Sequence, residues 1–74
     1  MTEQELMGAR IASMRTLRRM KQSDLARALG TSTQTISNWE TGARVPRADM
    51  VRALCIALNC TSDYILGLST QTTK

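Results

Sequence analysis

Histidine and phenylalanine are both missing from this 74-residue chain, which has one tryptophan, one tyrosine, one proline and two cysteines. Without histidine the commonest metal ligand is gone. With aromatics reduced to Trp39 and Tyr64, Leu, Ile, Met and Ala must fill the core, which suits packed helices better than a sheet. No apolar run approaches the ~20 residues needed to span a bilayer, and Met1 to Arg10 lacks the basic-then-apolar order of a secretory signal. Cys55 and Cys60 stand five positions apart, a spacing that fits neither a paired-cysteine zinc site nor a redox pair, so they read as small buried apolar residues. There is no Gly-rich phosphate loop and no pair of carboxylates placed for acid-base work. These absences imply a soluble, cytoplasmic, non-enzymatic protein with no metal and no cofactor.

What is present is small and basic. A chain of this length holds one domain, and a domain so small buries only about three-fifths of the surface its unfolded chain exposes. Ten Lys and Arg against six Asp and Glu give a net charge of +4, which favours a polyanionic partner without specifying one.

Periodicity predicts five helices. Helix one runs from about Glu3 to Arg18, with Met7, Ile11 and Met14 at helical spacing. Helix two, Gln22 to Leu29, carries Leu25, Ala26 and Leu29 on one side and stops at Gly30, suited to a left-handed terminus. Ser32 is the expected N-cap of helix three, which continues to about Glu40. Ile36 and Trp39 form its buried side, leaving Thr33, Gln34, Ser37 and Asn38 around the exposed faces. Thr41 to Pro46 reads as a loop, because Gly stops a helix and Pro can start one. Helix four spans Arg47 to Leu58 through Val51, Leu54, Cys55 and Leu58, with Asn59 closing it. Thr61 caps a short fifth helix over Ser62 to Leu66, ended by Gly67. Residues 1–68 make the domain, and the apolar-poor stretch from Ser69 to Lys74 is expected to be a disordered tail.

Two short helices joined by a Gly-containing turn, the second polar on its outer side, form the arrangement that lets a helix enter a DNA major groove. The stretches Gln22-Ser-Asp-Leu-Ala-Arg-Ala-Leu-Gly30, Ser32-Thr-Gln-Thr-Ile-Ser-Asn-Trp-Glu-Thr-Gly42, Pro46 and Ala57-Leu-Asn-Cys-Thr-Ser-Asp-Tyr-Ile-Leu66 resemble the phage-repressor and Cro-like helix-turn-helix family. The resemblance covers about Met7 to Gly67. It implies an all-α, compact five-helix lambda-repressor-like DNA-binding domain, with the helix-turn-helix at helices two and three. Carried over by position, it makes Thr33, Gln34, Ser37 and Asn38 the base-reading candidates, Ser37 the weakest. A Gln or Asn amide can pair bidentately with adenine, and Thr can touch a thymine methyl. Gln22, Lys21, Arg19, Ser32, Arg44 and Arg47 become phosphate-binding candidates. Arg15 and Glu40 match a pair that holds the reader helix at a fixed tilt.

Two departures stand out. Lys21 sits where the family usually has a Ser or Thr cap, and Arg19 where it usually has Gly. A left-handed Arg19 would cost about 1 kcal/mol. The implied partner is double-stranded DNA, read as a palindromic operator by a homodimer, and the implied role is that of a repressor of phage, prophage or bacterial type. Tyr64, Ile65, Leu66 and Leu68 are the dimer candidates. A competing reading is a helix-turn-helix module that acts through protein partners, as an antitoxin or anti-repressor does. The polar outer side of helix three argues against it. The chain is expected to be either a complete Cro-sized repressor or the DNA-binding part of a longer one.

Overall fold

The computed structural model describes residues 1–73. Five helices follow one another: α1 (Glu3–Leu17), α2 (Gln22–Leu29), α3 (Thr33–Thr41), α4 (Ala48–Leu58) and α5 (Ser62–Ile65), with no strand among the described residues. The helix boundaries lie within a residue of those predicted. Arg47 serves as the N-cap of α4 rather than its first residue, and α5 stops at Ile65. No helix among the described residues is long and apolar enough to cross a membrane.

Local chemistry accounts for most ends. Thr2 and Glu5 exchange side-chain and backbone hydrogen bonds at the start of α1, at 3.1 and 2.9 Å, a reciprocal capping box. Ser32 and Thr61 each accept a first-turn amide, from Thr35 and Tyr64 respectively, both at 3.1 Å. α1, α2, α4 and α5 close with the same turn, in which a left-handed residue lets the next amide reach back to a carbonyl five positions earlier; in α5 Leu68 donates to Asp63 at 2.7 Å past Gly67 (φ 80°). Met20 donates to Arg15 at 3.1 Å, Thr31 to Ala26 at 2.9 Å and Cys60 to Cys55 at 3.0 Å. In the other three turns the left-handed residues are Arg19 (φ 59°), Gly30 (φ 68°) and Asn59 (φ 50°). Gly is free there; Arg19 is not, because its Cβ crowds the carbonyl.

Every helix contributes to one core. Ile11 and Met14 of α1, Leu25 and Ala26 of α2, Ile36 and Trp39 of α3, Val51, Leu54 and Leu58 of α4, and Ile65 of α5 are buried together. Met7, Leu29 and Cys55, predicted to share it, lie half-buried at its margin. α3 packs chiefly on α1 and α2, while α4 covers α2 and carries α5. Beyond Gly67, residues 69–73 form no helix or strand. They turn back on the chain, and the amide and hydroxyl of Thr61 donate to the carbonyls of Thr72 (2.9 Å) and Gln71 (3.1 Å). Lys74, the end of the predicted tail, lies outside the described residues.

The left-handed Arg19 leads to a stability prediction. Arg19→Gly removes the Cβ clash and should raise the free energy of unfolding by about 1 kcal/mol, after the larger chain entropy of glycine is allowed for. Urea unfolding of the two proteins measures it, and a less stable variant would show that the Arg19 side chain contributes more than its backbone strain removes.

Candidate nucleic-acid interface

Three helices meet at one carboxylate. Arg15, on the last turn of α1, grips Glu40 near the end of α3 with two parallel contacts, Nε to Oε2 at 2.6 Å and Nη2 to Oε1 at 3.1 Å. The remaining guanidinium nitrogen donates to the carbonyl of Met20 at 2.8 Å. Gln22, the first residue of α2, adds its amide to Glu40 Oε1 at 2.9 Å. The side chains are 18% and 8% exposed for Arg15 and Glu40, so water screens the pair weakly. The predicted partnership of Arg15 and Glu40 is thus present in its bidentate form. Gln22 joins it, so its Nε2 is engaged within the protein.

The outer side of α3 is set by what lies beneath it. Ile36 and Trp39 are buried, so the helix cannot roll without exposing them. Thr33 and Gln34 are exposed, and Ser37 and Asn38 are half-buried. Gln34 Nε2 donates to Asn38 Oδ1 at 3.0 Å, one turn further on. The structure brings these four together on the accessible part of one helix. Ser32 stands at its N-terminus, its hydroxyl already accepting from the Thr35 amide.

Around this helix, Arg19 and Lys21 are exposed in the turn between α1 and α2, and Arg44 and Arg47 in the loop after α3. Arg47 lies 3.4 Å from Asp49 in an exposed pair. Lys21 is the N-cap of α2, yet an ammonium has no acceptor for the first-turn amides. Only the return half of a capping box forms, with Asp24 Oδ2 accepting from the Lys21 amide at 2.8 Å.

Three positions, one at this site and two elsewhere in the fold, escaped the sequence reading. Gly8 sits where α1 crosses α3, and a Cβ there would run into the carbonyl oxygens of Trp39 and Glu40. A glycine inside an otherwise regular helix is a readable sign of such an approach. Arg18 turns inward, donating to the carbonyls of Leu58 (2.8 Å) and Asn59 (3.0 Å) at the end of α4. Arg10 reaches the Ile65 carbonyl at 3.4 Å and Glu3 at 3.0 Å. These arginines serve the fold, although their charge alone reads like that of Arg19 or Arg44.

The dimer candidates need one correction. Ile65 is fully buried in the core and cannot present itself to a second chain. On a short helix its neighbours face outward instead: Leu66 is exposed, Leu68 is 74% exposed, and Tyr64 is half-buried. Ile56, at 69% exposure on α4, and Val45 add to the apolar surface, and with Leu66 they line one open groove beside Arg52 and Asp63.

Removing one partner of a nearly dry ion pair leaves the other without compensation. Arg15→Ala should therefore destabilise the protein by about 3 kcal/mol, and the test is thermal or urea unfolding. A change below about 1 kcal/mol would place the pair among ordinary surface bridges.

With the geometry in place, the chain can be set beside known proteins. The Helix-turn-helix family model HTH_3 matches residues 11–65. Repressor protein C2 of Salmonella phage P22 is 37% identical over 62 residues, a match covering 84% of this chain and 29% of that protein's length. The crystal structure of the P22 c2 repressor in complex with synthetic operator 9T superimposes with a TM-score of 0.80 at 35% identity, covering 85% of this chain and 96% of that one. The solution structure of the DNA-binding domain of the P22 C2 repressor gives 0.81 at 35% identity, over 97% and 96% of the two chains. Matched by that model over most of its length, the chain belongs to the Helix-turn-helix family.

Proposed function

We propose that this chain is a sequence-specific, double-stranded DNA-binding transcriptional regulator, a repressor that reads the major groove with α3. The observation that carries the reading is the arrangement of Thr33, Gln34, Ser37 and Asn38 on the accessible side of a helix anchored beneath by Ile36 and Trp39 and at its end by Arg15 and Glu40. Short amide and hydroxyl side chains on a fixed helix match the hydrogen-bonding edges of base pairs. Operator DNA bound to the P22 c2 repressor, a relative of similar fold, supports the same partner here.

Phosphates are held around that helix. The first-turn backbone amides of α2, beginning with that of Gln22, form a positive helix end beside Lys21 and Arg19; Ser32 stands at the start of α3, and Arg44 and Arg47 follow it. These contacts set register and add salt-sensitive affinity, and the α3 side chains choose the sequence. The protein acts in the cytoplasm without cofactor or metal and catalyses no reaction. It binds a palindromic operator as a homodimer, using the exposed Leu66 and Leu68 with Tyr64 at their side.

Selection from a randomised duplex pool at physiological salt tests the reading. A palindrome should be enriched, and Gln34→Ala or Asn38→Ala should weaken binding by roughly tenfold or more while relaxing preference at the contacted positions. Retention of DNA with no enriched motif would instead favour a module that works through protein partners. Leu68→Glu should abolish self-association and lower operator affinity. If sedimentation and operator titrations are both unchanged, the dimer lies elsewhere.

A further inference from the structure

The turn that ends α4 places the two cysteines together. Cys60 donates its amide to the Cys55 carbonyl at 3.0 Å, and Asn59, left-handed at φ 50°, donates to Ile56 at 3.3 Å. In this kind of helix ending, the two residues linked across five positions, here Cys55 and Cys60, frequently bring their side chains into contact. The backbone bond holds Cys55 and Cys60 close together, and both line the same groove. Five-residue spacing, which looks wrong for a redox pair along a regular helix, becomes right across this turn.

Both thiols are free and half-buried, and both line the open groove next to Ile56 and Leu66, so a small reagent can reach them. We propose that Cys55 and Cys60 form an oxidisable dithiol whose intramolecular disulfide staples the end of α4 to the turn leading into α5. A disulfide needs Cα atoms within about 4.4–6.8 Å and side chains aimed at one another, which a turn closed by a backbone hydrogen bond between the two residues favours.

The oxidant is a low-molecular-weight disulfide. The Cys55 thiolate attacks one of its sulfurs and expels the other as a thiolate, leaving a mixed disulfide on Cys55. The Cys60 thiolate then attacks the Cys55 sulfur, forms the internal bond and expels the second small thiolate. Two protein sulfurs are oxidised, one external disulfide is reduced, and the two protein protons end on the two released thiols. Burial raises both thiols above their ordinary range, Cys60 to about 11 even though the nearby Arg18 guanidinium works against its rise. Thiolate is therefore scarce at neutral pH, and the exchange is slow.

Oxidised glutathione, added to the whole chain and followed by alkylation and intact-mass measurement, is the test. The expected product has lost two hydrogen atoms, takes up no alkylating reagent, and unfolds on the order of 5 °C higher than the reduced protein, reverting with dithiothreitol. Cys55→Ser and Cys60→Ser should each stop at a single glutathione adduct and show no such rise. A wild-type product that keeps glutathione, links two chains, or remains fully alkylatable overturns the proposal. Because this reads the wild-type product, it holds even if a serine variant folds poorly.

Discussion

The Glu40 carboxylate joins parts of the chain that the hydrophobic core alone would leave free to slide. Apolar packing is non-directional, so Ile36 and Trp39 tell α3 which side to bury but not at what tilt. The fork of Arg15 has direction. Its two nitrogens meet both oxygens of Glu40, its third reaches the Met20 carbonyl, and Gln22 closes the group from α2. One arginine thereby fixes α1, the α1–α2 turn and the end of α3 together. Such a group gains little net stability over an apolar replacement, because both ions lose water on burial. Its contribution is orientation, which the proposed reader helix needs, since a small error in tilt would carry Gln34 and Asn38 away from the base edges proposed for them.

That node could not form without Gly8. The carbonyls of Trp39 and Glu40 occupy the space where any Cβ at that position would sit, so the missing side chain allows α1 and α3 to approach closely enough for Arg15, two turns further on, to reach Glu40. Close approach and ion pair depend on each other. The penalty of about 1 kcal/mol that glycine imposes inside a helix is offset by packing that no other residue permits.

Much of this was legible in sequence, and the failures have physical reasons. The helices could be read because their stop and start signals are local: Gly30, Ser32, Asn59 and Thr61 act on backbone groups within a few residues. The polar outer side of α3 was equally plain from Ile36 and Trp39. What sequence could not separate was the use of each arginine. Arg18 and Arg44 carry the same charge, and only the arrival of the Leu58 and Asn59 carbonyls from forty residues away turns Arg18 inward. Ile65 failed for the converse reason. α5 is a single turn, too short for periodicity to distinguish the side facing the core, and Ile65 took the buried place while Leu66 and Leu68 remained outside. The five-residue spacing of Cys55 and Cys60 said nothing of their neighbourhood, which comes from the backbone hydrogen bond that closes α4 between them.

The turn between α1 and α2 then becomes intelligible as a place where local preferences are set against one another. Arg19 is held left-handed without glycine's freedom, Lys21 occupies a cap position without an acceptor, and both cations stand beside the positive end of α2. Asp24 answers only part of this, through the Lys21 amide and a longer pair with Arg27 at 3.6 Å. Natural sequences are locally consistent except where another demand intervenes. A phosphate at this spot would satisfy the first-turn amides, meet both cations and complement the helix end at once. Under the phosphate contacts proposed for Arg19 and Lys21, the protein without DNA would retain an unfavourable arrangement at the α1–α2 turn, whose electrostatic part the DNA backbone would remove on binding.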